Sequence, residues 1–560
     1  MNGFVDLAFG PLAGLECRRS LGRRWMRVGQ VLAGLPGIVV ALSVLWFWWF
    51  QRQIDARYMP GGLLLGGVLV LEWIMLVVAL VMSPAVVAGT LAGEKARGVL
   101  PLLLASSVST REIATGRLAG RLTLVAIFLL ANLPAMWLMA GFSSLPIRVL
   151  LVLFALPAAV SFGVGGMSLL TSAMSRRARD ALIAVYLLEL LLFLLLLFLV
   201  PALLWRFLPP TGWDALRAMN PFYGLSSLIE SSDVRLATLS CAFWSCLGLL
   251  GLGTASWQLR RVYLRQVDGN RTRSERRHRA RPEVGENPML WKETHFERVE
   301  AFSRFVWWVG VFIFLALLGT TLVLAGVIMW TEWVRPDTVW NQWATAELEV
   351  LAGTTALPLS WLIQWTIALR AAVAIASERE HGTWDTLLLS DLEGSEIVGA
   401  KIWGSLYSLR GFIAAAAVLW TLAALFGAMP LSDYWTRLAN TIVISVFMTA
   451  AGVWLSLSSS TATRAMTLTI GTWLLSAGIF ATLAAMFVLV IMMIIIMAWL
   501  YWMGMTQGVW VTGIRGSGPP FPMSFMTGWT LTRLTMYAAT AALIALYCRK
   551  RFDRLAGRAP

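Results

Sequence analysis

The sequence predicts an all-α polytopic membrane protein with about twelve transmembrane helices in two parallel six-helix repeats. Three observations support this prediction: an apolar composition, twelve long apolar segments, and a polar block that occurs twice. Of the 560 residues, 58% are hydrophobic and 13% are charged, and the mean hydropathy is +0.72. A soluble globular domain carries about 25% charged residues, so this composition excludes a soluble enzyme.

Segments of about 20 mostly apolar residues are long enough to cross a bilayer as helices. The chain has twelve such candidate spans, at 31–50, 63–91, 119–140, 148–172, 181–205, 236–259, 305–330, 350–376, 402–427, 436–457, 466–500 and 529–547. The eleventh is too long for one straight span, so we expect it to tilt, break or continue outside the bilayer. The first follows a run of arginines without a cleavage site, which indicates a membrane anchor and not a signal peptide.

The basic residues predict the orientation of these spans. With both termini in the cytoplasm, about three quarters of the 45 Lys and Arg residues fall in cytoplasmic segments, and the opposite orientation would invert that ratio. The net charge of +15 is therefore a topology signal, and no nucleic-acid partner is expected. We expect a multi-pass protein of the cytoplasmic (inner) membrane, with the lipid bilayer as its surroundings. The scattered His and Cys residues predict neither a metal site nor a catalytic residue.

The two halves of the chain repeat at an offset of 284 residues (378 minus 94). Glu94 begins EKARGVLPLLLASSVSTREIATGRLAGRL, and Glu378 begins EREHGTWDTLLLSDLEGSEIVGAKIWGSL. The beginnings of the halves also match, since Pro11-x4-Glu16 and Pro288-x4-Glu293 each precede a first span. These patterns predict a first six-span repeat over 1–259, a basic cytoplasmic linker over 260–285 and a second repeat over 286–560.

The repeated block between the second and third spans of each half has a defined local design. Gly98 and Gly382 can stop a helix, because glycine takes left-handed backbone angles cheaply. A short leucine-rich stretch and a polar turn follow. Ser109-x-x-Glu112 then fits a capping box at the start of span three, whereas the second half has Glu393-x-x-Glu396. The pattern predicts a short amphipathic helix at the inner membrane face, suited to receive force from a cytoplasmic partner.

These residues resemble the permease subunits of ABC exporters of the type-two class. The family pattern reads roughly E-[KR]-E-x-G-[TV]-[LW]-x-x-L-L-x-x-P-x-S-x-x-E-I-x-x-G-K. The chain departs from it at Ala96, which replaces the second glutamate, and both copies lack the proline of the polar turn. The resemblance covers essentially the whole chain, one permease unit per half. The residues that it assigns to ATPase coupling are Glu94, Lys95, Gly98, Leu103, Leu104, Glu112, Glu378, Arg379, Gly382, Leu387, Leu388 and Glu396.

The resemblance implies that each block is a coupling helix that docks on a nucleotide-binding subunit. It also implies elbow helices at Pro11–Arg27 and Asn287–Arg304, and a central cavity lined by the second and fifth spans of each half. The sequence contains no G-x-x-x-x-G-K-[ST] motif, so no phosphate-binding loop lies on this chain. ATP and Mg²⁺ are therefore expected on cytoplasmic ABC ATPase subunits, either two copies or a heterodimer, and no cofactor is expected on this chain.

Two acidic residues interrupt predicted spans of the first half, Glu72 in the second and Glu189 in the fifth. An ionisable group inside the bilayer is costly and usually faces a bundle interior or a wet cavity. One interpretation is contact with a polar or cationic cargo, or gating; the other is a carboxyl that is protonated or hydrogen-bonded between helices. The equivalent second-half positions are Ala356 and Trp473.

Two other functions fit parts of the pattern. An ion-coupled secondary transporter can also have six plus six spans, but it would be expected to carry acidic residues in matched helices. An ATPase-driven membrane assembly component without transport usually carries a sizeable extracytoplasmic domain, and the predicted outside segments are too short for one. The sequence therefore favours an exporter permease.

Overall fold

The computed structural model is helical throughout the part of the chain that it describes. That part comprises residues 34, 36–46, 48–49, 61–142, 145–194, 219–231, 234–271, 288–293, 301–334, 339–380, 382–407, 410–478, 480 and 524–552, and it contains no strand. The predicted all-α class is therefore confirmed for these residues. The chain divides into two compact units, one of Met1–Ala280 with Val299–Gly310 and one of Arg281–Arg298 with Val311–Pro560.

The helices of the first half are α1 to α9. Their bounds are Pro36–Trp46 (α1), Gly61–Val87 (α2), Gly89–Ala96 (α3), Val99–Ala105 (α4), Thr110–Phe142 (α5), Ile147–Met174 (α6), Ala178–Leu194 (α7), Pro221–Ser231 (α8) and Val234–Arg271 (α9).

The helices of the second half are α10 to α19. Their bounds are Pro288–Trp291 (α10), Ala301–Val334 (α11), Val339–Val373 (α12), Ala376–Glu380 (α13), Trp384–Leu388 (α14), Gly394–Tyr407 (α15), Arg410–Leu425 (α16), Leu431–Ser458 (α17), 462–478 (α18) and Ser524–Lys550 (α19).

Seven helices of the described residues are long and apolar enough to cross a membrane, which makes this a membrane-embedded, multi-pass chain. They cover Leu64–Ala96, Thr110–Phe142, Ile147–Met174, Val234–Arg265, Phe314–Thr331, Leu431–Ser458 and Thr530–Lys550. The pair α15 and α16, bent by 43°, makes an eighth span if it is counted as one. The structure thus supports fewer spans than the twelve predicted. Parts of the first, fifth and eleventh predicted spans and the elbow segment Pro11–Arg27 lie outside the described residues.

One helix organises each unit. In the first unit α6 packs against α2, α5, α7 and α9; in the second α17 packs against α12, α15, α16 and α19. Both helices begin after a proline, Pro146 or Pro430, whose carbonyl accepts the first helical N–H bonds. Proline suits the start of a helix because its fixed φ is already compatible with the helix and its missing N–H is not needed there. Both helices end before a serine, Ser175 or Ser459, in extended conformation.

The α6–α9 contact in the first unit depends on glycines that let the two backbones meet. A Cβ atom placed on Gly251 of α9 would lie 2.5 Å from the backbone carbonyl carbon of Gly166 on α6. A Cβ on Gly163 of α6 would lie 2.6 Å from the carbonyl oxygen of Trp244 on α9. Small residues serve this role between membrane helices, because association there depends on close van der Waals packing.

We expect Gly251→Ala to destabilise the first unit, because its methyl group would collide with the α6 backbone. Overpacking of a well-packed contact costs about 1–3 kcal/mol. The thermal unfolding midpoint of the purified chain in detergent measures the effect.

Gly253→Ala is the matched control, since it lies on the same helix and a Cβ there meets no atom within 4 Å. It should leave the midpoint unchanged or raise it, because alanine is the better helix former. Equal losses from both substitutions would show that helix propensity, not the α6–α9 contact, determines the result.

Candidate functional site

The first block, residues 94–112, is closed by an ion pair. Glu94 at the end of α3 is buried, and the guanidinium of Arg117 on α5 bonds its Oε1. A buried carboxylate needs such a partner, because the effective cost of removing an ion from water is several kcal/mol. Since Glu94 precedes α4 and Arg117 follows it, their pairing fixes the two ends of the segment that carries α4.

Polar contacts also hold the first block to the end of α6. The Lys95 ammonium donates to the carbonyls of Ala173 and Ser175, the latter at 3.0 Å. The Ser172 hydroxyl accepts the N–H of Ala92 at 3.1 Å. The first N–H groups and the last carbonyls of a helix lack intrahelical partners. These side chains therefore satisfy the exposed ends of α3 and α6 while joining them.

Helix α4 turns one face to the core and one face outward. Gly98, just before it, has a φ of +70°, which confirms the predicted left-handed helix stop. Leu100 is buried, and Leu103 and Leu104 pack partly buried against the start of α5. Leu102 points the other way and is 73% exposed. The predicted leucine pair thus anchors the helix, and Leu102 is its apolar contact surface.

The predicted capping box at the start of α5 is confirmed. The N–H of Glu112 donates to the Ser109 hydroxyl at 3.2 Å, and the N–H of Ser109 donates to the Glu112 carboxylate at 2.9 Å. Each side chain satisfies a backbone donor at the helix start. In the second half one of the two bonds remains, from the N–H of Glu393 to the Glu396 carboxylate at 3.3 Å.

The second block, residues 378–396, repeats these contacts at equivalent positions. Lys401 of α15 pairs with Glu378 at 2.7 Å, as Arg117 pairs with Glu94. The Ser456 hydroxyl accepts the N–H of Ala376 at 2.9 Å, and Arg379 donates to the carbonyl of Ser459 at 3.4 Å. The same three kinds of contact therefore hold each block to its own unit.

In the second unit the segment 288–293 also joins the ion-pair cluster. Lys401, whose side chain is only 2% exposed, bonds Glu293 at 2.6 Å as well as Glu378. Lys292 bonds Glu378 at 3.1 Å. A Cβ on Gly404 would lie 2.6 Å from the Glu293 Cβ, so this glycine makes room for the segment. Part of the expected elbow Asn287–Arg304 is thus bonded to the block.

The cluster determines the charge state of Glu378. Burial alone would raise the pKa of this carboxyl, but the ammonium groups of Lys401 and Lys292 outweigh burial and lower its pKa below the ordinary value. A lowered folded-state pKa stabilises the fold above the ordinary carboxyl pKa. That stabilisation is lost as the pH falls through the lowered value, so the cluster is fully formed at neutral pH.

Helix α14 has the same two-sided arrangement as α4. Gly382 before it has a φ of +70°, and Leu387 and Leu388 pack partly buried against the core that includes Met289. The exposed residue here is Leu389, at 86%. Both blocks therefore expose one leucine beside an inward-facing leucine pair.

Sequence reasoning missed the partners that complete the blocks. Arg117 and Lys401 matched as repeated positive charges, and Ser172 and Ser456 as repeated serines, but neither pair was assigned a role. The signal was available for the charges: each cation follows its glutamate at the same spacing in both copies. Glu293 gave no such signal, because its contact with Lys401 joins distant parts of the chain.

Glu72 and Glu189 lie apart from the blocks, within the helices of the first unit. Glu72 on α2 is fully buried, and neither of its carboxylate oxygens has a hydrogen-bond partner among the described residues. Its helix neighbours Leu71, Met75 and Leu76 belong to the apolar core. Glu189 on α7 is also buried. The interhelical hydrogen bond considered for Glu72 is not formed within the described structure, and contact with cargo stays a prediction.

Trp473, the second-half equivalent of Glu189, lies in an aromatic cluster. Its indole N–H donates to Gln364 at 3.1 Å, and its ring packs edge-on against Trp361 and Trp365. The two units therefore differ at this position, with a carboxyl group in one and tryptophan packing in the other.

No protein-family model matches the chain, and no curated protein matches it.

We expect Lys401→Met to destabilise the second unit strongly, because it leaves Glu293 and Glu378 buried without their shared cation. Breaking a buried ion pair by removing one partner costs about 3–5 kcal/mol. The thermal unfolding midpoint in detergent should fall at neutral pH, and adding Glu293→Gln should recover part of the loss.

Lys292→Met is the matched control, because it removes the other cation of the cluster from a side chain that is 45% exposed. Exposed ion pairs contribute about 0–1 kcal/mol. Similar losses from the two lysine variants would contradict the importance that we assign to burial of Lys401.

We expect Glu72→Met to raise the unfolding midpoint of the first unit. It replaces a buried carboxyl that lacks a partner by an apolar side chain of similar length. Asn132→Leu is the control, since Asn132 is equally buried but accepts the Gly37 N–H at 2.9 Å and donates to the carbonyl of Phe128 at 2.8 Å. Asn132→Leu should lower the midpoint, and a comparable loss from Glu72→Met would reveal a polar partner of Glu72.

Proposed function

We propose that this chain is the membrane-spanning permease subunit of an ATP-driven ABC exporter, energised by separate ATPase subunits. In this proposal it crosses the cytoplasmic membrane twelve times in two parallel six-helix repeats, with both termini in the cytoplasm. The observation that carries the proposal is the pair of buttressed blocks at the same offset in the two halves.

The match between the halves extends to individual contacts. At the offset of 284 residues, α6 corresponds to α17 at both ends, and Gly98 to Gly382 with the same φ. The acid–base pairs and the serine contacts correspond as well. This agreement supports two copies of one structural unit.

A block of this construction is suited to transmit force. Its short helix is tied by buried charges to the helix that follows and by hydrogen bonds to the end of the central helix of its unit. A displacement of the block therefore moves these helices with it and is not absorbed by a flexible loop. The exposed leucine at its surface provides an apolar contact for a partner.

The absence of a phosphate-binding motif from the sequence assigns ATP hydrolysis to another polypeptide. ATP and Mg²⁺ would then bind on the partner. The work of this chain is a population shift, in which closure of the ATPase subunits favours one arrangement of the helices over another. This chain then contributes coupling residues and a pathway, and no chemical step.

We expect the tagged chain, purified in mild detergent from its own membranes, to carry a stoichiometric P-loop ATPase identified by mass spectrometry. Leu102→Ala and Leu389→Ala should each reduce the recovered ATPase, because each removes the exposed apolar side chain of a block. Truncating a residue at the centre of an interface commonly costs about 1–2 kcal/mol or more, which corresponds to a reduction in affinity of about tenfold.

Leu425→Ala is the matched control, since Leu425 is also 73% exposed but ends α16, far along the chain from either block. It should leave the recovered ATPase unchanged. A chain that purifies without any ATPase, and whose reconstituted transport follows a proton or sodium gradient, would overturn the proposal in favour of a secondary transporter.

A further inference from the structure

The outward surfaces of the two blocks carry opposite charge, although their inward contacts match. The first block has two acidic and three basic residues, a net charge of +1, and the second has six acidic and one basic residue, a net charge of −5 with His381 neutral. Residues that are buried in their own ion pairs do not determine what a partner meets. The comparison that matters is therefore between the exposed side chains.

The exposed charged side chains sharpen the contrast. In the first block they are Arg97 and Arg111, both basic; in the second they are Glu380, Asp385, Asp391, Glu393 and Glu396, all acidic. Each set surrounds the exposed leucine of its block. A central apolar residue inside a charged rim is the usual anatomy of a protein–protein interface.

The turn after the central helix of each unit extends the difference. This turn touches the block, since Lys95 and Arg379 donate to Ser175 and Ser459 at its start. After Ser175 the turn contains Arg176, Arg177 and Arg179, of which Arg177 is fully exposed. After Ser459 the corresponding residues are Ser-Thr-Ala-Thr-Arg, with Arg464 as the only charge.

The exposed leucines also differ in position. Subtracting the offset of 284 places Leu389 at position 105, three residues beyond Leu102. Three residues correspond to about 4.5 Å along a helix at 1.5 Å per residue. A pocket that receives the leucine of one block is therefore out of register for the leucine of the other.

We propose that the two blocks dock on two different ATPase subunits, one with an acidic docking surface for the first block and one with a basic docking surface for the second. This inference rests on the proposed function. Two identical ATPase copies would present the same docking surface to both blocks. A surface that complements Arg97 and Arg111 would face like charges on the second block, and such juxtaposition disfavours binding by several kcal/mol.

Mass spectrometry of the intact purified complex tests the composition. The expected result is two different P-loop ATPase polypeptides, one copy of each per permease chain. One ATPase polypeptide in two copies would overturn this inference and leave the proposed function standing. Absence of any ATPase would overturn the proposed function itself, so the two failures are distinguishable.

Site-specific crosslinking tests which subunit meets which block. A photo-crosslinking residue replaces Ser106 in one variant and Ser390 in another, two uncharged positions that correspond at the offset of 284. The two positions should crosslink to different ATPase polypeptides. Crosslinks from both positions to the same polypeptide would contradict the inference.

Charge reversal tests the complementarity. Arg97→Glu with Arg111→Glu should weaken ATPase recovery about tenfold or more, and so should Asp385→Lys with Asp391→Lys. The matched controls Arg97→Lys with Arg111→Lys, and Asp385→Glu with Asp391→Glu, keep the charge and should retain the ATPase. An unchanged recovery after reversal in the first block would contradict an acidic protein partner and assign its basic surface to the anionic membrane.

Discussion

The construction of each block depends on one interaction, the ion pair between an acidic residue before its short helix and a basic residue after it. Glu94 and Arg117 form this pair in the first unit, Glu378 and Lys401 in the second. Removing these charges from water is unfavourable, and their mutual attraction offsets that cost only while their geometry is kept. The remaining contacts of the block are compatible with one arrangement because the pair fixes its two ends. The polar bonds to the central helix then orient the block as a whole.

The second unit shows what a buried cation of this kind can hold in addition. Lys401 bonds two carboxylates, and the second one, from Glu293, brings the segment 288–293 into the cluster. A single ammonium can serve both because it has three donors and no acceptor. The segment that leads into the repeat is thereby coupled to the block. Any displacement of the block against α15 would have to break or carry this bond.

The sequence predicted the features whose cause is local. The positive φ of Gly98 and Gly382 and the capping box of Ser109 and Glu112 follow from the residues at those positions and their immediate neighbours. The ion-pair partners could not be derived in the same way, because Arg117 has the same sequence appearance as any basic residue beside a span. The outward direction of Leu102 was also hidden, since three consecutive leucines show no helical period. Contacts between helices, not local preferences, decide those features.

The two blocks keep their inward residues and diverge in their outward ones, and this division has a physical reason. Inward positions are constrained by the core of their own unit, so the same acid, base, serine and glycine recur. Outward positions are free of that constraint. The crowding of Asp385, Asp391, Glu393 and Glu396 on one short segment is unfavourable in isolation, because like charges repel one another. No contact within the second unit requires four acidic residues there. A complementary basic surface outside the chain would remove the repulsion and turn it into attraction, so the divergence is best explained by what each block binds.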